Sequence, residues 1–408
     1  MSDSEAESRY SARGASASKV EVHRAIASVD KGLFPSAFCK ILPDVLGGDE
    51  AWCNLIHADG AGTKAALAYM YWRETGDLGV WRGIAQDAVV MNLDDLCCAG
   101  ARGPYLLSST LGRNKYRIPG EVVAALIEGT QAFASEMESW GVKIYPGGGE
   151  TADLGDLIQT LVVDSTMSAR MPRSGVVSNH RIRPGDSIVA FASYGTCSYE
   201  KSENSGIGSN GLTSARHDLL DKAYAGLYPE TYDHQVDASL VYSGRLKLTS
   251  DLNLILAEEL GLEPLALRQN LDFGRWLLSP TRTYAPLILA MLEELGVEAL
   301  HGMIHCSGGG QTKVRHFVRG MRVVKDRMME IPPLFALIQR LSGSTWEEMY
   351  RVFNMGHRLE VYVPETHVEK VMGLGKHFGI ECRVAGRVEA GSEGLSLLGP
   401  EGWIQYQD

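Results

Sequence analysis

The chain has 408 residues, of which 45% are hydrophobic and 22% charged, as is typical of globular proteins with a substantial core. Its 39 basic and 50 acidic residues give a formal net charge of −11, which argues against nucleic acid as a partner. The longest apolar run is about half the roughly 20 residues that span a bilayer, which argues against a membrane protein.

Seven cysteines without paired spacing indicate reduced thiols, and the polar start of the chain lacks the apolar core of a signal peptide. We therefore expect a cytoplasmic protein. The length predicts two or three domains. We expect a flexible N-terminal segment at 1–17 and two domains at 18–172 and 173–408, because the stretch from 171 to 186 holds two prolines and two glycines between apolar segments.

The 45 glycines form clusters rather than a repeat, and each cluster predicts a loop where the backbone turns sharply or approaches a ligand. The first cluster follows a predicted strand at 52–56 and precedes a predicted helix at 64–73. Backbone N–H groups at Gly60, Gly62 and Thr63 would bind phosphate, Lys64 would add a positive charge, and Asp59 would bind a divalent cation. An ordinary strand–helix turn with a capping aspartate explains the pattern equally well.

The next predicted helix, at 80–96, is mostly apolar but carries Asp87, Asp94 and Asp95. Residues seven apart lie on the same face of a helix, so Asp87 and Asp94 are neighbours, and like charges there repel. A shared Mg²⁺ would remove that repulsion. The alternative is a solvated acidic face.

A third predicted helix at 121–140 is followed by a strand at 142–145 that leads into Gly147, Gly148 and Gly149, and then Glu150. Three glycines at the end of a strand followed by an acid fit a cradle for a nucleotide or a metal. A tight turn capped by Thr151 fits as well.

In the second half, residues 206–211 read Gly-x-Gly-x-x-Gly, but about 13 polar residues separate them from the preceding strand. The dinucleotide-binding fingerprint requires the strand directly before the glycines, so an anion cradle is the better interpretation. Residues 307–310, which follow a predicted strand at 303–306, are a second cradle of this kind. His305 in that strand is equally consistent with core packing.

Six motifs occur in a fixed order along the chain: Asp-Gly-Ala-Gly-Thr-Lys, Gly-Gly-Glu-Thr-Ala-Asp, Ser-Asn-Gly, Leu-Leu-Ser-Pro-Thr-Arg-Thr-Tyr, Ser-Gly-Gly-Gly and Glu-Met-Tyr-Arg-Val-Phe-Asn-Met-Gly. In this respect the chain resembles phosphoribosylformylglycinamidine cyclo-ligase, the aminoimidazole ribonucleotide (AIR) synthetase of purine biosynthesis. The resemblance implies an α+β fold with two domains, in which the N-terminal sheet domain forms a homodimer and the C-terminal domain is an α/β sandwich.

The resemblance also implies a reaction, in which ATP phosphorylates the amide oxygen of formylglycinamidine ribonucleotide. A nitrogen of the substrate then closes the imidazole ring and releases phosphate. ATP and Mg²⁺ are the implied cofactors, and a small nucleotide is the implied substrate. No general base is singled out.

The site residues that the resemblance implies fall into four groups. The catalytic ones are Lys64, Asp59 and Asp95, and the ATP-binding ones are Gly60, Gly62, Thr63, Lys64, Asp87, Gly148, Gly149 and Glu150. The metal ligands are Asp59, Asp94, Asp95 and Glu150, and the substrate-binding residues are Ser209, Asn210, Arg216, Arg282, His305, Gly309 and Asn354.

The chain departs from the family pattern at several points. Asp94 stands where the family usually has Asn, and Gly208 stands where a His commonly precedes Ser-Asn-Gly. Residues 196–205 form an insertion, and residues 34–40 are stiffer than the Gly-rich segment expected there. These changes bear on the nucleotide lid and on substrate recognition.

Two other functions stay open. A relative with the same scaffold would carry out another phosphoryl transfer, as a thiamine-phosphate kinase, a selenophosphate synthetase or a hydrogenase-maturation protein does. A catalytically silent binding subunit is the third class, and the intact Asp59, Lys64, Asp95 and Glu150 argue against it.

Overall fold

The computed structural model describes residues 9–15, 24–264 and 271–407. Helices and strands interleave through both halves, which confirms the mixed α and β class. The principal helices are α1 (Arg9–Ala12), α2 (Lys64–Thr75), α3 (Gly79–Cys98), α4 (Gly120–Ser139), α5 (Leu212–Leu219), α6 (Ala223–Leu227), α7 (Leu252–Leu260), α8 (Phe273–Leu277), α9 (Ala285–Leu295), α10 (Pro333–Ser342), α11 (Trp346–Val352) and α12 (Glu365–His377). The strands are β1 (Ile41–Pro43), β2 (Trp52–Gly60), β3 (Tyr105–Arg113), β4 (Ile144–Asp153), β5 (Leu161–Pro172), β6 (Asp186–Ala192), β7 (Tyr194–Gly195), β8 (Asn204–Ser205), β9 (Gly302–His305), β10 (Met321–Lys325), β11 (His357–Pro364), β12 (Cys382–Ala390), β13 (Gly394–Gly399) and β14 (Gly402–Tyr406).

The first half of the chain forms a five-stranded sheet in the order β1-β2-β5-β3-β4, in which only β3 and β4 run parallel. Side chains along β5 alternate between buried and more exposed positions, as expected for a sheet with one covered face. Helices α3 and α4 pack on the covered face. The other face keeps apolar side chains in contact with solvent, including Ile56 and Leu106.

The second half forms a seven-stranded sheet in the order β14-β13-β10-β12-β6-β11-β9. Strand β6 is buried along its whole length, because α12 packs against it and neighbouring strands flank it on both sides. Helix α9 packs on α12 and also reaches α3 of the first half.

Helix α3 is the element that joins the two halves. Every residue from Asp87 to Cys98 is buried, because β2 and β5 lie on one side of the helix and α9 and β9 lie on another. Its Val89 and Leu93 belong to the same apolar core as Phe191 and Leu359 of the second sheet. The carboxylates of α3 therefore lie inside the protein and not on a solvated face.

The start of the chain is folded where it is described. Helix α1 leads to the buried Arg13, whose guanidinium forms two hydrogen bonds of 2.8 Å with the Asp218 carboxylate on α5. The prediction of a flexible segment at 1–17 is therefore wrong for residues 9–15, and its other residues lie outside the described ranges. Sequence composition misses this anchor because its partner is 205 residues away.

All seven cysteines are free thiols, and six of them are buried. Burial raises the pKa of Cys98 well above its ordinary value, and the nearby charges of Asp95 and Asp94 raise it further. The thiols are thus held in the protonated form. Within the described ranges, no helix combines the length and the apolar character needed to cross a bilayer.

A buried ion pair lies in the second half. The Lys325 amine is 2.6 Å from the Glu360 carboxylate, and both side chains are fully buried. Tyr362 and His357 also hydrogen-bond to Glu360, at 2.8 and 2.9 Å. Burial raises the pKa of Glu360, but the charge of Lys325 and the hydrogen bonds from His357 and Lys325 together outweigh it and lower that pKa to about 2.

We expect Lys325→Met to lower the free energy of unfolding by about 3–5 kcal/mol, because it leaves the Glu360 charge buried without its cation. Urea unfolding at pH 7 measures the change. The matched control is Lys40→Met, since Lys40 pairs with Asp30 at 3.3 Å in an exposed setting, where a pair contributes about 1 kcal/mol or less. Equal losses in the two variants would contradict the assignment of Glu360 as a buried charge.

Candidate active site

The carboxylates of α3 receive hydrogen bonds from the second half of the chain. Asp87 accepts from the backbone N–H of Thr281 at 2.7 Å, and Asp94 accepts from the Thr283 hydroxyl at 2.6 Å and the Tyr284 N–H at 3.1 Å. The predicted shared face of Asp87 and Asp94 is confirmed. Both oxygens of Asp94 accept hydrogen bonds from protein donors inside the core, and its metal role stays a prediction.

Lys64, the first residue of α2, is fully buried beside Asp87. Its amine donates to the Asp87 carboxylate at 2.9 Å and to the Ser279 carbonyl at 2.6 Å. Burial lowers the pKa of Lys64, and the charge of Asp87 opposes that shift. Two of the three amine donors are thus committed to the protein, so the phosphate contact predicted for Lys64 is not formed in this conformation.

Asp95 is the centre of a chain of charged and polar groups. Its carboxylate is 2.6 Å from Nδ1 of His305 and 3.3 Å from Nε2 of His57. Burial raises the pKa of Asp95, but the hydrogen bond from His305 together with the positive groups around the carboxylate, Lys313 among them, outweighs it, so that pKa lies below its ordinary value. Asp95 is therefore held as a carboxylate.

His305 is held from both sides. Arg358 donates through Nε to His305 Nε2 at 3.0 Å, and since a guanidinium only donates, the proton of the imidazole is on Nδ1 and points to Asp95. Both ring nitrogens of His305 thus have protein partners, and its substrate contact stays a prediction. Neither Arg358 nor His57 was singled out from the sequence; the only available signal for Arg358 was its place two residues after the Asn-Met-Gly motif.

The first glycine loop ends β2 and lies near α5 of the second half. Asp59 is exposed there, and Gly62 has a positive φ of 56° with open space around it. The Thr63 hydroxyl is 2.8 Å from the Thr213 hydroxyl on α5. The loop thus places Gly60, Gly62 and Thr63 beside α5, the helix that follows the glycine cluster at 206–211.

The glycine cluster at 147–149 is part of a strand. Strand β4 runs through Gly148, Gly149 and Glu150 because Gly149 lies so close to the backbone of Ser109 that a side chain has no room. This corrects the prediction of a loop after residue 145. In the sheet register, Glu150 and Asp164 both pair with Thr110, and Asp164 pairs with Gly60.

These strand ends border a cavity of about 170 Å³ between the sheet and helices α3 and α4. Asp164, which the sequence did not single out, and Glu150 line it together with apolar side chains. Burial raises the pKa of Asp164, and the charge of Asp59 raises it further. Asp164 and Glu150 are thus the carboxylates that line this largely apolar cavity, and Asp59 lies close enough to repel Asp164.

The two cradles of the second half lie together. A side chain at Gly308 would come within 3.7 Å of the Asn210 amide, and Gly309 has a positive φ of 91°. Asn354 holds the first cradle in place through Nδ2, which donates to the carbonyls of Gly206 and Ile207. Its Oδ1 accepts from the Ser193 hydroxyl and from the Gly356 N–H, and the substrate contact of Asn354 stays a prediction.

Arg282 and Arg216 are also committed to the protein. All five N–H groups of Arg282 donate to the carbonyls of Ala192, Tyr194 and Gly195 and to both oxygens of Glu200. Glu200 belongs to the insertion at 196–205, which thus closes onto Arg282. Arg216 is buried and donates to the Thr231 carbonyl at 2.6 Å. Neither arginine reaches a substrate in this conformation.

The altered segment at 34–40 packs against the site. Phe38 stacks on Phe317 with ring centroids 5.2 Å apart, and its ring lies 6.4 Å from that of His305. The Lys313 amine lies 5.6 Å from the centre of the Phe38 ring. Among the described residues, no three His, Cys, Asp or Glu side chains are close enough to hold a metal ion by themselves.

We expect Arg282→Lys to lower the melting temperature by several degrees, because lysine cannot replace the five donors of the guanidinium. The Michaelis constants of the folded variant should stay within about threefold of the original. Differential scanning calorimetry and steady-state kinetics measure the two effects. A large rise in a Michaelis constant with unchanged stability would restore the substrate contact that the sequence predicted.

Comparisons with known proteins agree with this architecture. Residues 44–171 match the N-terminal domain of AIR synthase related proteins, and residues 254–397 match their C-terminal domain. The model is similar to the solved structure of the HypE–HypF complex, with a TM-score of 0.54 and 14% identity over 95% of this chain and 98% of that chain. For the hydrogenase maturation protein HypE in complex with ATP, the TM-score is 0.52, with 15% identity over 95% and 94% of the two chains. The predicted AIR-synthetase-like α+β fold is confirmed.

Two curated relatives carry the same name, phosphoribosylformylglycinamidine cyclo-ligase. The protein from Thermococcus gammatolerans is 30% identical over 320 residues, which cover 78% of this chain and 73% of the relative. The protein from Methanocaldococcus jannaschii is 28% identical over 356 residues, which cover 87% and 83% of the two chains. The chain therefore belongs to the phosphoribosylformylglycinamidine cyclo-ligase family, a family of ligases.

Proposed function

We propose that this protein uses ATP to close the imidazole ring of 5-aminoimidazole ribonucleotide (AIR) from formylglycinamidine ribonucleotide, and releases ADP and phosphate. The observation that carries the proposal is the meeting of four chain segments around one helix. Lys64, Asp95, Thr281 and His305 lie in different segments of the sequence, and hydrogen bonds connect the segments around α3.

The chemistry requires that a poor leaving group become a good one. Transfer of the terminal phosphoryl group to the amide oxygen breaks the bond to ADP and forms a carbon–oxygen–phosphorus linkage. A substrate nitrogen then attacks the same carbon, the C–O bond breaks, and phosphate leaves with its electron pair. Positioning and charge neutralisation supply most of the catalysis in such steps.

The residues of the chain serve that requirement in different ways. Asp95 is kept ionised by His305, and the carboxylates of Asp87 and Asp94 keep Lys64 and the segment 281–284 in place. The exposed backbone of the first loop offers N–H groups at Gly60, Gly62 and Thr63 to a phosphate. Ser209, Asn210 and Gly309 would contact the substrate from the second half.

Mg²⁺ fits the carboxylates of Asp59 and Asp164, with Glu150 beside them in the sheet register. These are oxygen ligands, and the charge of Asp59 raises the pKa of Asp164, a repulsion that a cation relieves. Mg²⁺ is usually bound by one or two carboxylates together with phosphate oxygens, so a complete protein cage is not needed. When bound there, the ion would neutralise charge on the phosphates of ATP.

The proposal includes a homodimer formed through the first sheet. Ile56, Leu106 and Tyr145 lie in one register row of its uncovered face, and each is more than half exposed. A groove of about 510 Å³ on the same face is lined mainly by apolar atoms. A second copy would remove this surface from water. The domain division at 172–173 and a cytoplasmic location are also parts of the proposal.

We expect Lys64→Ala and Asp95→Asn each to lower AIR formation at least 100-fold while the protein stays folded. The assay contains ATP, Mg²⁺ and formylglycinamidine ribonucleotide, and circular dichroism checks the fold. The matched control is Asp156→Asn, an exposed aspartate that should leave the rate unchanged. Release of ADP without that ribonucleotide would indicate another phosphoryl transfer of the superfamily, such as that of a thiamine-phosphate kinase or a selenophosphate synthetase.

We expect Leu106→Lys to convert the dimer into a monomer, because it places a charge in the centre of the apolar face. Light scattering after size-exclusion chromatography measures the mass. Leu254→Lys is the control, since Leu254 on α7 is 63% exposed and lies away from that sheet. A monomeric original protein, or a dimer that tolerates Leu106→Lys, would contradict this interface.

A further inference from the structure

Arg358 is a buried cation at the centre of the molecule that the family motifs do not explain. It lies on β11 and is 2% exposed. Its Nε donates to His305 at 3.0 Å, its Nη2 donates to the Arg282 carbonyl, and the guanidinium lies 5.7 Å from the centre of the Tyr284 ring. Two of its three nitrogens are therefore fixed by the protein.

The third nitrogen, Nη1, has no hydrogen-bond acceptor among the described residues and points to the first cradle of the second half. A Cβ atom at Gly208 would lie 2.8 Å from Nη1 and 3.7 Å from the Thr281 hydroxyl. Gly208 has a φ of 68°, so both its conformation and its surroundings favour the absence of a side chain. The space left open at Gly208 is thus bordered by a guanidinium nitrogen.

Two further polar groups, the hydroxyls of Thr281 and Ser209, lack hydrogen-bond partners among the described residues. The Thr281 hydroxyl is buried, with the residue 1% exposed, and has no hydrogen-bond partner in the described part of the chain. The hydroxyl of Ser209, the residue after Gly208, is also buried and without a partner there. Buried polar groups are rarely left unsatisfied, because each one costs free energy. The Nη1 donor and the Thr281 hydroxyl border this space, and the unpartnered Ser209 hydroxyl belongs to the next residue of the chain; together they indicate a ligand that accepts hydrogen bonds.

The charge of the surroundings indicates the sign of that ligand. Asp94 accepts a hydrogen bond from Tyr284 and Asp95 accepts one from His305, and Arg358 forms no ion pair with either carboxylate. The guanidinium is close enough to lower the pKa of the Lys64 amine. Lys64 is paired with Asp87, whereas Arg358 forms no ion pair among the described residues, so an anionic oxygen at Nη1 would supply the missing counter-charge.

We propose that Arg358 Nη1, together with the hydroxyls of Thr281 and Ser209, binds an anionic phosphate oxygen of a reactant, an inference that rests on the proposed function. The oxygen belongs either to the phosphoryl group that leaves ATP or to the 5′-phosphate of the ribonucleotide. Both have the same chemistry, and kinetics distinguish them. Arg358 is then a substrate-contacting residue as well as the group that fixes the proton of His305.

Thr281→Val is the sharpest test, because it removes a hydroxyl that has no hydrogen-bond partner among the described residues and keeps the shape of the side chain. The backbone groups of Thr281 that bond to Asp87 and Gln86 are untouched. We expect stability to be unchanged or higher and kcat/KM to fall about 10- to 100-fold, as for the loss of a hydrogen bond to a charged group. Arg358→Gln should lose at least 100-fold.

Titration of each reactant at saturation of the other identifies the source of the oxygen. A raised Michaelis constant for ATP or a lowered kcat assigns it to the transferred phosphoryl group, and a raised constant for the ribonucleotide assigns it to the 5′-phosphate. Unchanged constants in both Thr281→Val and Arg358→Gln would overturn the inference.

A second pair of variants tests the open space itself. Gly208→Ala places a methyl group against Nη1, whereas Gly261→Ala meets nothing within 4 Å at the same φ of 68°. Both variants carry the same backbone strain, so only Gly208→Ala should lose activity. Equal activity in the two would contradict the role of Nη1.

The failure of the proposed function is recognisable separately. If the original protein forms no AIR, that function is wrong, and calorimetric binding of ATP with Mg²⁺ and of inorganic phosphate then tests the site. Weaker binding of either probe by Thr281→Val supports the inference, and equal binding of both overturns it.

Discussion

The structure depends on the burial of three carboxylates along one apolar helix. Asp87, Asp94 and Asp95 are enclosed by both halves of the chain, where an unpaired charge would cost several kcal/mol. Each carboxylate receives at least one donor from the second half: Thr281, Tyr284 and His305. This requirement fixes how the two sheets lie relative to α3, and it brings the glycine clusters of both halves to one region.

The same requirement explains how much of the fold could be predicted from the sequence. Local patterns predicted the helices at 64–73, 80–96 and 121–140 to within two residues, because apolar spacing and the residues at helix ends are local signals. The prediction of a loop at 147–149 was wrong, since β4 continues through Gly149, which lies against the backbone of Ser109. Such an approach depends on a strand 40 residues away and leaves no local signal.

The candidate site was predictable in its location but less so in its details. The segments around Lys64, Asp95 and residues 206–211 do meet. The contacts that Arg282, Asn354 and His305 make within the protein were not predictable, because the partner of each polar side chain lies far away in the sequence. All five N–H groups of Arg282 donate to acceptors in its own chain, whereas Nη1 of Arg358, which no motif singled out, has no acceptor among the described residues.

The anchor at the start of the chain has a practical consequence. Arg13 is buried against Asp218 and Ser214 on α5, the helix whose Thr213 touches the first glycine loop. Proteolytic trimming before Gly14 would remove what looks in the sequence like a dispensable polar tail. It would also remove the Arg13 cation from the interior beside α5, so the described residues 9–15 contribute to the packing of the helix that contacts the first glycine loop.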